Sequence, residues 1–338
     1  MRFTFSDEQR AFQLAFRELL RRECPPSVVR AAWSEGTGRS AALWRKLAEQ
    51  GIPAVLAPEA QDGLGGSELD LVLLFEEAGH AALPEPLLET CVGVALLRDA
   101  ATGLAADWLP RVAAGEARLA IRLGAQLHVA DAHVADLLLV EHAGELFALE
   151  RAAASLVAER SVDGARRLFR LGAPPPATSR IASGEVARTA LAAAADRAAL
   201  LAAAELVGLG AQMIDMTAAY AKVREQFGRP IGSFQAVGHH LAEALLANEF
   251  ARPVVHAAAY AMTRGEPDRA IAVSMAKARA SDAATLAAKM ALQCHGAIGY
   301  SFEHDLHLWM KRAWALAASF GDAASHRARI GRHLFDTP

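Results

Sequence analysis

From Val186 onward the chain consists of long alanine-rich stretches of helical character, broken at Gly228-Arg229-Pro230-Ile231-Gly232, near Gly265-Glu266-Pro267, and at Gly296 to Tyr300. Glycine and proline stop helices at such points, and the stretches between are free to run on. Four long helices fit. Small side chains let backbones approach closely, which in an antiparallel bundle favours tight helix pairs and packing between subunits. A C-terminal four-helix bundle over residues 178–338 is therefore expected.

The N-terminal part is helical by different signals. Ser6 and Gln9 form a capping box, and Phe12, Leu14, Phe16 and Leu19-Leu20 recur at roughly helical spacing behind it. A further helix from Ser40 to Gln50 stops at Gly51. Pro58, Gly63, Gly65 and Gly66 then mark an irregular connection before the apolar stretch Leu69 to Ala82. This gives an all-helical domain over residues 1–114. Between Arg118 and Leu171 the period changes. β-compatible runs at Ala135–Val140, Glu145–Glu150 and Arg166–Leu171 are separated by Ala143-Gly144 and Asp163-Gly164. A small, truncated antiparallel β domain over 115–177 is expected, closed by Pro174-Pro175-Pro176, which cannot continue a ladder, and followed by a linker. The fold class is thus mainly α: helices, a small sheet, helices.

With 35 basic against 38 acidic residues, a formal net charge of -3 offers no general attraction for nucleic acid or an anionic membrane. No window approaches the roughly 20 apolar residues that span a bilayer, and Met1 to Glu8 lacks a basic region followed by an apolar run. A cytoplasmic protein without nucleic-acid or membrane partners is expected. Cys24, Cys91 and Cys294 lie far apart without CxxC spacing, which indicates neither a disulfide framework nor a zinc site. His239 and His240, adjacent on a helix, point about 100° apart and cannot chelate together. The cluster Glu303, His304, Asp305 and His307 reads as salt bridging or capping rather than a metal site.

Two segments carry chemistry. In Arg224-Glu225-Gln226-Phe227-Gly228-Arg229-Pro230-Ile231-Gly232-Ser233-Phe234-Gln235 a cation stands at a helix end beside a Gly-Arg-Pro-Ile-Gly turn, followed by an amide. Such a corner can hold a diphosphate: Arg224 supplies charge-assisted hydrogen bonds, Gln235 a neutral donor, and Phe227 a face for a flat ring. On spacing alone a solvated arginine and a structural turn account for the segment equally well. In Gln293-Cys294-His295-Gly296-Ala297-Ile298-Gly299-Tyr300 the glycines let a backbone approach a ligand and Gln293 can bond a phosphate or sugar. His295 is a secondary candidate, for which a hydrogen bond inside the turn is an equal alternative.

Both segments resemble signature stretches of the acyl-CoA dehydrogenases. Leu43-Trp44, Pro58-Glu59, Gly63-Leu64-Gly65-Gly66, Glu76-Glu77-Ala78-Gly79, Pro84-Glu85-Pro86 and Phe302 to Ala313 extend the resemblance over most of the chain. It implies FAD as cofactor, an acyl-CoA thioester as substrate, and contact from Arg224, Phe227, Gln235, Gln293 and Gly296 to FAD belonging to a neighbouring subunit. The chain departs from the family where the chemistry is done. A carboxylate must remove the α-proton, yet the usual base position, 27 residues beyond Gln293, falls on Phe320. The family's second base position falls near Ala198. Asp196 and Glu205 are the nearest acids, and helix geometry turns Asp196 to a different face. In the sheet, Ala120 to Gln126 replaces the family's Thr-Glu-Pro cradle for the flavin ring, and Val134 to Val140 resembles a much later strand, implying that several strands are deleted. The pattern resembles the short, non-catalytic subunit of actinobacterial heteromeric acyl-CoA dehydrogenases of sterol catabolism. That implies a longer catalytic partner, an α2β2 assembly, a bulky acyl group and an isolated chain without activity. The rival readings are a self-sufficient homomer with a base at Asp196 or Glu205, and a non-enzymatic scaffold on the same fold.

Overall fold

A computed structural model describes residues 4–34 and 36–335; Met1–Phe3, on which the reading of the N-terminus partly rests, lie outside them. The helices are α1 (Asp7–Glu23), α2 (Pro26–Ser34), α3 (Ala41–Glu49), α4 (Glu68–His80), α5 (Leu87–Ala100) and α6 (Thr102–Ala113). The strands follow as β1 (Leu119–Arg122), β2 (Val129–Ala130), β3 (Leu137–His142), β4 (Glu145–Glu150), β5 (Leu156–Glu159), β6 (Leu168–Leu171) and β7 (Arg180–Ala182). Next come α7 (Gly184–Val223), the short strands β8 (Glu225–Gln226) and β9 (Arg229–Pro230), and then α8 (Gln235–Arg264), α9 (Arg269–His295), α10 (Leu306–Ala318) and α11 (Ala323–Phe335). The chain forms two compact units, one of Met1–Arg30, Val72–Leu83 and Ala199–Pro338, the other of Ala31–Leu71 and Pro84–Ala198.

In the first unit, α1 starts with the expected capping box, the Ser6 hydroxyl accepting from Gln9 N and the Gln9 side chain from Ser6 N. Its inner face is tied to α4, where Glu77 accepts from Gln13 at 2.7 Å and from Arg17 at 2.6 and 2.8 Å. The crossing of α4 and α7 is made by glycine at both helices. A Cβ on Gly79 would stand 2.0 Å from the Glu205 carbonyl oxygen, and one on Gly208 would stand 1.9 Å from that of Glu76. Around this crossing α7 is buried on every side from Ala199 to Gly210, so its sequence shows no amphipathic stripe. Further along, Gly210 makes room for Asn248 of α8, whose amide donates to Val207 O at 3.2 Å.

The C-terminal bundle departs from expectation in one respect. Instead of four long helices there are three, of 40, 30 and 27 residues, followed by two of 13. The chain breaks at Ser319-Phe320-Gly321 between α10 and α11, where no proline marks the stop. Phe320 and Gly321 both take left-handed backbone there, with φ of 55° and 87°.

The second unit carries the four-stranded and three-stranded sheets. β3 and β4 form the expected hairpin, Val140 opposite Phe147, closed by Ala143-Gly144 with φ of 51° and 75°. Two features correct the expected antiparallel sheet and linker. β1 pairs with β3 in parallel, Ile121 opposite Leu139, because the chain between them leaves the sheet to form β2. The segment after the three prolines is not a free linker: it re-enters as β7, antiparallel to β4. Proline ended one ladder without preventing the next. β2, β6 and β5 form a second sheet, and a core of Val129, Ala132, Leu138, Val140 and Leu149, backed by Phe169 and Leu171, lies in this strand-bearing part. Among the described residues no helix is long and apolar enough to cross a membrane.

A candidate cofactor corner

Past the end of α7 the backbone reverses in a hairpin, Gln226 opposite Arg229 and Glu225 opposite Pro230. Its tip is Phe227-Gly228 with φ of 54° and 76°, the two left-handed residues that a type I′ turn requires. Glycine adopts this freely, whereas phenylalanine does so at a cost of about 1–2 kcal/mol. Phe234 braces the turn. Its ring meets Phe227 edge-on at 6.1 Å, and the Arg229 guanidinium lies over it at 4.3 Å. The Phe227 ring itself is 92% exposed. The first segment therefore spends conformational energy to present a bare aromatic surface.

Arg224 is committed through its backbone, its N–H donating to Tyr220 O at 2.9 Å and its carbonyl accepting from Ile231 N at 2.8 Å. Its side chain is exposed and has no hydrogen-bond or ionic partner among the described residues. Gln235 opens α8, exposed and equally uncommitted. In the second segment α9 ends at His295, and Gly296 follows with φ 63° and ψ -139°, a conformation open to glycine only. A Cβ there would meet nothing within 4 Å, so the ground in front of this backbone is clear. Gln293, one turn back, is exposed and uncommitted too.

An aromatic stack brings the two segments together. Tyr220 lies on the His295 ring at 4.4 Å and 17°, and His304 meets His295 edge-on at 4.7 Å. The ends of α7 and α9 are thereby pinned side by side, placing Arg224 and Gln293 at one end of the unit. His295 is buried and bonds Ala291 O through Nδ1 at 2.8 Å, a bond within α9 rather than inside the turn, and its Nε2 has no hydrogen-bond partner among the described residues. Burial lowers its pKa below the ordinary histidine range, and the neighbouring His304 adds to that. Burial lowers His304 likewise. The polar cluster beyond is tied internally: Asp305 pairs with Arg30, and His304 Nδ1 accepts from Leu306 N. No group of three or more His, Cys, Asp or Glu among the described residues could hold a metal ion.

At the expected base positions stand Phe320, in the α10–α11 turn, and Ala198, fully buried. The turn is clamped from outside. The Lys277 amino group, buried to 0% exposure, donates to Gly321 O at 2.9 Å, Ala317 O at 3.1 Å and the Ser281 hydroxyl at 3.2 Å. His326 bonds Phe320 O at 3.0 Å and the Ser274 hydroxyl at 3.2 Å. Of the two alternative acids, Glu205 is buried and accepts from Arg312 Nη1 at 3.1 Å, a nitrogen that also donates to Leu83 O at 2.8 Å. Asp196 is buried in the second unit. There too, Ala120 to Arg122 lie within β1, while the Glu141 carboxylate takes Gly124 N at 2.6 Å.

Sequence reasoning passed over Tyr220, Lys277, Arg312 and His326. A partial signal existed for two of them: Lys277 and Arg312 stand among small or apolar residues and beside a second cation, Arg279 or Lys311, and whichever charge turns inward has to find partners in the interior. As a set, three uncommitted donors, an open glycine backbone and a bare aromatic ring suit a phosphate-bearing, ring-bearing dinucleotide such as FAD.

Residues 6–116 match the family model for the acyl-CoA dehydrogenase N-terminal domain, and residues 184–335 match that for the acyl-CoA dehydrogenase C-terminal domain. Acyl-CoA dehydrogenase IpdE2 of Mycobacterium tuberculosis is 34% identical over 341 residues, covering 98% of this chain and 99% of the relative. A solved structure, the Tcur3481-Tcur3483 steroid ACAD G363A variant, superposes with a TM-score of 0.88 at 27% identity, covering 98% of each chain. The ChsE4-ChsE5 complex from Mycobacterium tuberculosis gives 0.86 at 26% identity, covering 100% of each chain.

Proposed function

The chain belongs to the acyl-CoA dehydrogenase family, whose cofactor is FAD, and from that premise we propose that it is the non-catalytic subunit of a heteromeric acyl-CoA dehydrogenase. It contributes Arg224, Phe227, Gln235, Gln293 and Gly296 to an FAD site whose remainder, with the catalytic carboxylate, belongs to a longer partner in an α2β2 assembly. One observation carries the reading. The groups suited to a dinucleotide are intact and uncommitted at one end of the first unit, while the proton-abstracting position holds Phe320 and Glu205 is bound to Arg312.

FAD bound at such a site supplies the hydride acceptor for the substrate β-carbon. The part of this chain is to hold and orient. Arg224 offers charge-assisted hydrogen bonds to phosphate oxygens, Gln235 and Gln293 offer neutral donors, and Gly296 leaves its backbone approachable. Phe227 gives a flat apolar face. Removal of the substrate α-proton falls to the partner. α8, which begins with Gln235, also exposes Leu245, Leu246 and Phe250 at 47%, 58% and 62%, an apolar stripe of the kind partner subunits cover. Two structurally similar proteins are two-protein complexes, one described as a steroid ACAD, which supports a bulky, steroid-derived acyl-CoA as substrate.

Co-expression with a longer, glutamate-bearing family member tests this. The complex is expected to carry FAD and oxidise an acyl-CoA, the isolated chain to do neither, and Arg224→Ala to weaken FAD retention about 10–100-fold with assembly intact. An isolated chain that bound stoichiometric FAD and turned over an acyl-CoA would end the proposal.

A further inference from the structure

The first unit contains a half-open cavity of about 740 Å³, at whose floor Gly208 and Ala211 of α7 lie beside Leu73 of α4. Its walls are α1, α4 and α8, and none of the residues assigned above to FAD line it. The lining holds three arginines, Arg10, Arg17 and Arg252, against three carboxylates, Glu76, Glu77 and Asp215. Formal charge therefore balances, but the two signs are not equally available. Glu76 and Glu77 are 8% and 6% exposed and already used. Glu76 accepts from His256 Nε2 at 2.5 Å and pairs with Arg252 Nε at 3.2 Å, while Glu77 takes Gln13 and Arg17. The third carboxylate, Asp215, is 71% exposed and faces His80 at 3.6 Å.

The buried glutamates thus act as anchors. They fix the Arg17 guanidinium through hydrogen bonds to Nε and Nη2 and attract Arg252 Nε by charge alone, while Glu249 takes Arg252 Nη1. One terminal nitrogen of each arginine is left uncommitted, and the Arg10 side chain has no partner among the described residues. A guanidinium already oriented by an ion pair loses little freedom on meeting a second acceptor, and its planar fork suits the two oxygens of a carboxylate or phosphate. Against this stands an apolar side made by Leu73, Ala211 and Phe5, whose ring lies edge-on to His256 at 4.9 Å. The volume falls within the roughly 300–1,000 Å³ of small-molecule sites and far exceeds what a bare inorganic ion fills.

We propose that this cavity binds an amphipathic organic anion, its carboxylate or phosphate head at Arg10, Arg17 and Arg252 and its hydrocarbon body over Leu73 and Ala211. The test is calorimetric titration of the full chain, alone and in its co-purified complex, with decanoate. Inorganic phosphate serves as a head-only control and decan-1-ol as a tail-only control. Saturable one-to-one binding of decanoate is expected, with neither control matching it. Arg10→Ala, which removes no ion pair, is expected to weaken binding about tenfold or more, and Ala211→Met to weaken it by filling the floor. Decanol binding as tightly as decanoate, decanoate binding unchanged in both variants, or no saturable binding at all would each overturn the proposal.

Discussion

The pair Glu205–Arg312 separates a structural carboxylate from a catalytic one, and the structure sets the size of the effect. Both side chains are about 95% buried, and Arg312 Nη1 serves two acceptors, Glu205 and Leu83 O. Arg312→Met leaves a buried carboxylate and a buried carbonyl without that donor, which costs about 3–5 kcal/mol. With an unfolding entropy of about 2.1 cal/mol/K per residue, a chain of 338 residues loses about 4–7 °C in Tm. Glu205→Gln keeps an acceptor oxygen towards Arg312 and gives up only the charge, so the cost falls to about 1–2 kcal/mol, or about 1–3 °C. A Glu205→Leu/Arg312→Met double variant should lose less than its two singles together, since each single strands the other partner. Thermal unfolding reads all four variants, the Glu205→Leu single included, and turnover of the FAD-loaded complex is measured beside it. Glu205→Gln is expected to preserve turnover while lowering Tm. Abolished turnover at unchanged Tm would refute it and make Glu205 the base.

Two further outcomes follow from the cofactor corner. Gly296→Ala forces φ 63°, ψ -139° on a side-chain-bearing residue, and the co-purified complex is expected to lose about 1–3 kcal/mol of stability together with part of its FAD, read by flavin absorbance per complex; unchanged stability would contradict the glycine-only backbone. Burial holds His295 and His304 below the ordinary histidine range, so the unfolded chain binds protons that the folded corner refuses, and stability is lost as pH falls through about 6.5 until the lowered folded values are passed. Tm measured from pH 8 to 5 should therefore fall less steeply in His304→Phe than in the parent chain, and parallel profiles would count against the coupling.

Much of the fold was legible because it depends on neighbours in sequence. The Ser6–Gln9 cap, the stop at Gly51, the Ala143-Gly144 hairpin and the turn after Arg224 are settled within a few residues. What was not legible depends on partners far along the chain. Three prolines rightly ended a strand, but the pairing of Arg180–Ala182 with β4 is a tertiary fact. The parallel register of β1 on β3 hides in two similar apolar runs. The break at Phe320 is set by a lysine 43 residues earlier and a histidine six residues later, and neither announces that role by spacing. For the candidate site, identities were legible through resemblance, while exposure and lack of partners, the properties that make Arg224, Gln235 and Gln293 available, could be seen only in three dimensions.

The α10–α11 turn is held by its backbone carbonyls, that of Phe320 among them. An ammonium head and an imidazole, each also bonded to a serine hydroxyl, grip carbonyl oxygens, and a carbonyl is the same whatever side chain hangs beside it. The hydrogen bonds that hold the loop thus do not depend on which side chain stands at position 320. Whichever side chain stands there, acid or aromatic ring, meets the same anchored backbone.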